Sequence, residues 1–349
     1  MAIYVNGYNR AGDWIPDSVC KNMRQIYNGN PKGGISCSLE RRAFYYAYLN
    51  GANAIEPEGW LNHMMQTNSA GTKVELSARG KMFSAFHDFT AANPGRGTTY
   101  APVAILVPFA QGRTCYGGQA WGRAPYMPGD YALDALFYTI TPGSDRAKWL
   151  REGREGNLHN TKYAMMYDVL VPDSTQAKED FARALSAYPV AILAGEYRDP
   201  SMFEDVLADY VKRGGELHRI TPDMLPPQDK AAPMDIFSGR RRFPAVEAML
   251  DGIQRRHFPF EVEGDALYGA NRTKDGWWVW CFNNRGVVNY IGEDETVDQS
   301  AASRIRIRAK PGAGRIGGVT ELVEGRRVPT SGDSFEAVVP AGDVRVFSL

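Results

Sequence analysis

The sequence contains few cysteines, and they form no recognisable group. Four cysteines are spread over 349 residues, with no C-x-x-C pair and no cysteine–histidine cluster, and the five histidines show no metal-ligand spacing. A disulfide framework and a thiolate metal site both need cysteines at short, regular spacing. We therefore expect no disulfide framework and no metal, and a location in the reducing cytoplasm.

Long apolar runs are also missing. No segment reaches the roughly 18 consecutive apolar residues that a membrane-spanning helix needs. Residues 1–7 are apolar but lack the charged region and cleavage site of a signal peptide. They predict a β-strand near the first residue, as if the chain began within a domain, and we expect no membrane partner.

Neither sign of charge is in excess, since Lys and Arg total 40 and Asp and Glu total 40. Zero net charge gives no electrostatic reason to expect a nucleic-acid partner. Apolar residues make up 44% and charged residues 23% of the chain, as in soluble globular proteins. The length predicts two or three domains. The fold class we predict is α/β plus all-β, with boundaries after residues 98 and 240.

The first region, residues 1–98, alternates between helix and strand patterns. Ser38 predicts the start of a helix and Asn50-Gly51 its end. Residues 52–55 predict a strand directly after it, and residues 77–91 predict a second helix. This order is typical of (β/α) repeats, so we predict part of a (β/α) barrel.

The second region, residues 99–240, contains short apolar strands of the kind buried in parallel sheets. A helix that begins at Asp199-Pro200 carries its apolar residues on one face and ends at Gly214. Together these patterns predict an open α/β sheet. Its predicted strands are residues 101–108, 163–171, 189–194 and 216–220.

The third region, residues 241–349, begins with a helix at 244–256 and then changes to short strands separated by turns. Residues 304–308 alternate strictly, as a half-buried strand does. Residues 277–282 are rich in tryptophan; one face of this strand belongs to the core, and the other faces either the core or a carbohydrate. The pattern predicts an all-β sandwich.

Glu56 and Glu58 follow the predicted strand of the first region and are the strongest catalytic candidates. In an extended chain, residues two apart point to the same face and lie about 6.5–7 Å apart. Glycosidases use two carboxylates that flank the scissile bond, and barrel enzymes place catalytic side chains at the carboxyl ends of strands. Glu58 is the first candidate and Glu56 the second; the alternative is two solvated loop side chains.

Aromatic and polar residues beside the same predicted strands are candidate substrate-binding groups. Trp60 could form an apolar platform for a sugar ring, and His63 could line the same pocket. Tyr8, Asn9 and Trp14 follow the first strand and combine aromatic rings with hydrogen-bonding groups, as sugar sites do. A structured loop without a ligand, and a structural role for His63, are the alternatives.

The order of these parts resembles the family 42 β-galactosidases and their relatives. Residues 210–215, with 189–195 upstream, resemble the amidotransferase-like domain of those enzymes, and residues 50–55 resemble the approach to a late barrel strand. Residues 339–347 resemble the closing strand of glycosidase β-sandwiches. The resemblance implies the end of a barrel, an amidotransferase-like (flavodoxin-like) domain and a C-terminal β-sandwich. In that family the middle domain helps to form trimers.

The sequence departs from that family in two ways. A complete barrel needs about 250 residues, and fewer than 100 precede the second region, so the early strands that carry the family's acid/base residue are absent. Amidotransferase domains carry a nucleophilic cysteine at a strand-to-helix turn where this sequence has Glu196. The second region also lacks nucleotide-binding glycine patterns. We expect it to be catalytically silent and to hold no cofactor.

These patterns predict a glycoside hydrolase-like protein that hydrolyses glycosidic bonds of a carbohydrate substrate by carboxylate catalysis. A non-catalytic carbohydrate-binding or assembly protein derived from a glycosidase is the alternative. A hydrolase that uses the α/β region is a third interpretation, which the missing nucleophile disfavours.

The first region also predicts a homo-oligomer, with a trimer as one form. Strands at residues 3–5 and 52–55 lack most barrel neighbours and would expose sheet edges. The helix between them carries more aromatic surface than one short sheet can cover, and uncovered apolar surface marks an interface. We expect a neighbouring subunit to complete the partial barrel. The aromatic residues are Phe44, Tyr45, Tyr46 and Tyr48.

Overall fold

The fold is a mixture of helices and several separate sheets. A computed structural model describes residues 2–5, 37–57, 64–67, 70–107, 128–141, 143–144, 158–172, 177–195, 203–227, 242–288 and 295–349. No helix within these ranges combines the length and the apolar character that crossing a membrane requires.

The helices confirm the sequence patterns at residues 38–49, 77–91 and 244–256, to within one residue at each end. Ser77 caps the second helix, because its side chain accepts a hydrogen bond from the N–H of Gly80 at 3.1 Å. The α-helices of the described ranges are α1 (Cys37–Leu49), α2 (Ala78–Ala92), α3 (Pro128–Ile140), α4 (Lys178–Leu185), α5 (Glu204–Lys212) and α6 (Pro244–His257).

The strands of the described ranges are β1 (Ala2–Val5), β2 (Ala54–Pro57), β3 (Met65–Thr67), β4 (Val74–Leu76), β5 (Thr98–Thr99), β6 (Val103–Leu106), β7 (Gly143–Ser144), β8 (Leu158–His159), β9 (Tyr167–Leu170), β10 (Val190–Ala194), β11 (Glu216–Ile220), β12 (Phe260–Glu263), β13 (Leu267–Arg272), β14 (Trp277–Phe282), β15 (Val287–Val288), β16 (Thr296–Val297), β17 (Ser303–Ala309), β18 (Val319–Glu321), β19 (Arg326–Val328), β20 (Thr330–Ser331), β21 (Ser334–Val339) and β22 (Val344–Ser348).

The chain forms two compact units that are each discontinuous in sequence. The first unit comprises Met1–Thr99, Ser144–Asn160 and Phe260–Leu349, and the second comprises Tyr100–Gly143 and Thr161–Pro259. Helix α6, which the sequence analysis assigned to the third region, belongs to the second unit. The division into three domains stays a prediction.

In the first unit, β1 and β2 form a two-stranded parallel sheet, and α1 lies between them in the sequence. A strand, a helix and a parallel strand form the repeating unit of (β/α) folds. The predicted strand at residues 52–55 is therefore present, shifted two residues toward the carboxyl end. The barrel to which it was assigned stays a prediction.

The aromatic residues of α1 are covered within the first unit, contrary to our expectation. Phe44, Tyr45 and Tyr48 are at most 7% exposed. They pack against aromatic rings of α2, with Phe44 5.5 Å from Phe83 between centroids, while Tyr46 lies 6.0 Å from Trp280 of β14. The expectation of uncovered aromatic surface was wrong, because α2 and β14 supply partners that local sequence does not reveal.

The first unit also contains two larger antiparallel sheets. One has the strand order β19-β18-β22-β14-β13-β5 and the other β12-β17-β21-β20. Rings from the two sheets meet edge to face, with Phe260 5.5 Å from Trp277. The alternation predicted for residues 304–308 is confirmed, with isoleucines buried and arginines exposed. All six residues of β14 are buried.

The second unit contains a four-stranded parallel sheet in the order β11-β10-β6-β9. Each corresponds to a strand predicted for the second region, although β9 begins four residues after the predicted start at residue 163. β6 and β10 are fully buried. Beside them, Phe181 of α4 lies 4.9 Å from Phe203, the residue before α5. The assignment to an amidotransferase-like fold stays a prediction.

Candidate functional site

The candidate site residues lie in or after β1 and β2. Glu56 belongs to β2 itself and lies opposite Tyr4 of β1. The remaining candidates lie outside the described residues, so their roles stay predictions, as does the expectation for Glu196. These candidates are Glu58, Trp60, His63, Tyr8, Asn9 and Trp14.

The register of β1 and β2 fixes where the described parts of both strands end. The strands are parallel, and Val5 lies beside Pro57 at their carboxyl ends. Tyr8 follows Val5 by three residues along the chain, and Glu58 follows Pro57 by one. The carboxyl ends of strands are where barrel enzymes build their active sites.

The turn between α1 and β2 fixes where β2 begins. Gly51 has a φ of +89°, a left-handed conformation that favours glycine. The N–H of Ala52 donates to the carbonyl of Ala47 at 2.9 Å, which closes the end of α1. The buried side chain of Asn271 donates to the carbonyl of Leu49 at 2.8 Å. These bonds hold the start of β2 against the core of the first unit.

The amino end of α1 is attached to loops of the antiparallel sheets. Arg42 is buried and donates from Nε to Oδ1 of Asn284 at 2.9 Å and from Nη1 to the carbonyl of Gly342 at 2.7 Å. Ser38 Oγ donates to the same carbonyl at 2.6 Å. Burial lowers the pKa of Arg42 to about 10 despite nearby carboxylates, so the side chain stays charged at neutral pH.

A further carboxylate of the first unit, Glu40, is a structural group. Arg79 of α2 binds both of its oxygens, at 2.5 and 2.6 Å. Burial raises the pKa of Glu40, and the pairing with Arg79 opposes that shift. With both oxygens bound and the side chain only 6% exposed, Glu40 is not placed to meet a substrate. Local sequence does not reveal this partner, because Arg79 lies 39 residues further along the chain.

In the second unit, Glu216 joins the amino end of β11 to the end of α6. It accepts hydrogen bonds from His218 at 2.6 Å and from His257 at 3.1 Å, and it pairs with Arg256. Burial alone would raise the pKa of Glu216, but the bonds from His257, His218 and Arg256 lower it to about 2. Active sites of parallel sheets lie at the carboxyl ends of strands, so this position favours a structural role.

The described part of the chain offers no candidate site for a metal ion or for a nucleophilic thiolate. There, no three side chains of His, Cys, Asp or Glu are grouped to hold a metal ion. Cys281 is fully buried, and burial raises the pKa of its thiol. Burial, followed by the charges of Glu295 and Glu40, raises the pKa of Cys37 to about 11. Neither thiol has the lowered pKa of a nucleophilic cysteine.

No protein-family model matches the chain, and no curated protein matches it in sequence. Solved structures of glycoside hydrolases align with it at low identity. The α-L-fucosidase isoenzyme 2 from Paenibacillus thiaminolyticus is 11% identical with a TM-score of 0.49, covering 90% of this chain and 57% of the enzyme. A catalytic mutant of a GH42 β-galactosidase from G. stearothermophilus is 12% identical with a TM-score of 0.49, covering 99% of this chain and 59% of the enzyme. The chain thus spans less than two thirds of the length of either enzyme.

Proposed function

We propose that this protein is glycoside hydrolase-like and hydrolyses glycosidic bonds of a carbohydrate by carboxylate catalysis. The observation that carries the proposal is the parallel register of β1 and β2. It places Val5 beside Pro57, the residues after which Tyr8, Asn9 and Trp14 follow in one segment and Glu58 in the other. Two carboxylates with aromatic and hydrogen-bonding neighbours are the groups that glycoside hydrolysis needs.

Each candidate has a role in this proposal. Glu58 is the first choice for the acid/base or nucleophile, and Glu56, in β2, is the second. Trp60 supplies an apolar platform for a sugar ring. The other candidates bind the sugar hydroxyls; they are Tyr8, Asn9, Trp14 and His63.

The proposal includes assembly of a homo-oligomer, with a trimer as one form. Among the described residues, β1 and β2 pair only with each other, so neither has a second strand neighbour there. Such edges favour pairing with another chain, and a neighbouring subunit would complete the partial barrel. The amidotransferase-like domain and the β-sandwich are the other parts of this proposed architecture. Light scattering at micromolar concentration tests assembly: a stable, folded monomer contradicts it.

A screen against chromogenic glycosides, followed by two variants, tests the catalytic proposal. Glu58→Gln keeps the side-chain shape but removes proton exchange and carboxylate attack, so we expect kcat to fall about 10²–10⁴-fold. Glu336→Gln makes the same change at an exposed position of β21 and should leave kcat unchanged. Equal rates for Glu58→Gln and the parent would remove Glu58 from the mechanism.

A non-catalytic carbohydrate-binding protein is the second candidate function. It uses the same aromatic and polar candidates for sugar binding but needs no catalytic carboxylate. Sugar binding measured by calorimetry, without turnover of any glycoside at high protein concentration, would select this function. Turnover that disappears in Glu58→Gln would exclude it.

A further inference from the structure

A pocket of about 360 Å³ in the first unit is lined by the antiparallel sheets and their loops. It lies between the end of β13, the turn before β14 and the loop after β17. Trp277 forms part of its wall and is held by a hydrogen bond from its Nε1 to the carbonyl of Ala313 at 3.1 Å. The volume falls at the lower end of the roughly 300–1,000 Å³ typical of small-molecule sites.

Two arginines line this pocket without a carboxylate partner. The guanidinium group of Arg272 lies 4.6 Å from the centre of the Trp277 ring. A guanidinium group over an aromatic ring keeps N–H donors available for a further partner. Within the described part of the chain, neither Arg272 nor Arg315 forms an ion pair or a side-chain hydrogen bond. A pocket with two such cations favours an anionic ligand.

The loop after β17 adds an open main chain to the same pocket. Residues 312–317 have the spacing G-x-G-x-x-G. In dinucleotide-binding proteins that spacing leads into a helix, whereas here it leads into strand β18, which excludes the dinucleotide interpretation. A Cβ at Gly314 or Gly317 would meet no atom within 4 Å, so a ligand can approach the backbone closely.

Asp275 gives the pocket an acceptor beside its cations. The planar guanidinium groups of Arg272 and Arg315 match the geometry of one carboxylate, to which each can donate two parallel hydrogen bonds. A carboxylate also accepts hydrogen bonds from hydroxyl groups. The complementary ligand is therefore a small molecule with one carboxylate and several hydroxyl groups.

We propose that this pocket binds a sugar acid, with the carboxylate on Arg272 and Arg315 and the hydroxyls on Asp275 and the glycine-rich loop. The uronic acids are the sugars with this chemistry. The inference rests on the pocket alone and is independent of Glu56 and Glu58. It therefore stands or falls separately from glycosidic hydrolysis.

Calorimetric titration with galacturonate tests the proposal, with galactose as the neutral match and acetate as the match without hydroxyls. We expect binding of galacturonate, at least about tenfold weaker binding of galactose, and weaker binding of acetate, because a charge-assisted hydrogen bond contributes about a factor of ten or more. Equal binding of galactose and galacturonate would overturn the proposal, as would tighter binding of inorganic phosphate.

Three substitutions test whether galacturonate binds in this pocket. Arg272→Gln and Arg315→Gln should each weaken galacturonate binding about tenfold or more. Arg308→Gln removes the same charge on the other sheet of this unit, where Arg308 pairs with Glu261, and should leave binding unchanged. Equal effects of all three changes would overturn the site.

A spectroscopic readout is independent of the variants' stability. The chain has seven tryptophans, so the indole N–H region of a ¹⁵N spectrum holds seven signals. Galacturonate should shift one of them, that of Trp277, and Trp277→Phe identifies it. Saturable galacturonate binding with no shift of that signal would overturn the assignment to this pocket. If Glu58→Gln abolishes glycoside turnover but galacturonate still binds, the pocket proposal stands independently of the catalytic proposal.

Discussion

Arg79 donates one hydrogen bond to each carboxylate oxygen of Glu40, at 2.5 and 2.6 Å, in a place where both side chains are almost fully buried. The pair joins α1 to α2, and α1 in turn leads directly into β2. Removal of one member leaves the other charge buried without a partner, whereas removal of both does not. Substitutions in this pair therefore measure how much it contributes to the stability of the α1–α2 packing.

Arg79→Met is expected to lower the free energy of unfolding of the first unit by about 3–5 kcal/mol. The double change with Glu40→Met should recover most of that loss, because no buried charge remains. Arg183→Met is the control, since its ion pair with Asp180 is exposed and contributes about 1 kcal/mol or less. Denaturant titration followed by near-ultraviolet circular dichroism measures all three. Equal losses in Arg79→Met and Arg183→Met would contradict the buried pair.

Asn271 predicts a second stability effect. Its Nδ2 donates to the carbonyls of Leu49 and Arg96, and its Oδ1 accepts from Nε1 of Trp280. Asn271→Asp keeps the acceptor but removes both donors, and unsatisfied buried acceptors cost about 1–3 kcal/mol each. We expect a loss of about 2–6 kcal/mol by denaturant titration. Asn53→Asp, at an exposed position, should cost far less; a similar cost would show that the network is not stabilising.

Stability should depend on pH through Glu216. Its folded pKa of about 2 lies below its ordinary value of 4.5, so the unfolded chain binds the proton first as the pH falls. The contribution of Glu216 is therefore complete above about pH 4.5 and is lost toward pH 2. The difference in Tm between the parent and Glu216→Gln should shrink across this window. For Glu336→Gln, an exposed control, that difference should stay constant; a parallel trend in both variants would contradict the prediction.

The two described thiols should react slowly. With Cys20 and Cys115 replaced by serine, Cys37 and Cys281 remain. A pKa of about 11 instead of 9.0 leaves Cys37 with about a hundredfold smaller thiolate fraction at pH 8. Fully buried Cys281 should react only on unfolding. Absorbance with a disulfide reagent measures both rates; rapid release of one equivalent from the folded protein would contradict this.

Local patterns were sufficient to predict individual helices and strands. Ser77 caps α2 where a polar residue precedes a helical run, and residues 304–308 alternate because one face of β17 is buried. Such signals depend on residues a few positions apart. Which elements pack against one another depends on residues far apart in the sequence. For this reason the packing of α2 and β14 against the aromatic rings of α1 was not predicted.

The candidate sites likewise include one feature that local sequence predicts and one that it does not. Glu56 was predicted to follow a strand and lies within β2 itself, because the local pattern indicates a strand but not where it ends. The pocket beside Trp277 was not identified, although residues 312–317 carried a signal in their glycine spacing. Only the fold brings that loop to Arg272, since the four strands β14, β15, β16 and β17 lie between β13 and the loop in the sequence.

The bond from Arg42 to the carbonyl of Gly342 spans 300 residues of sequence. During synthesis the chain grows from its amino end at about 5–20 residues per second, so Gly342 emerges roughly 15–60 s after Arg42. Helix α2 emerges soon after α1 and can cover Phe44, Tyr45 and Tyr48. Arg42 and Tyr46, however, find their partners in Gly342 and Trp280 only after the strands of the second unit have emerged. Such delayed burial makes a nascent chain prone to aggregation. A truncation before residue 342 removes one acceptor of Arg42 permanently.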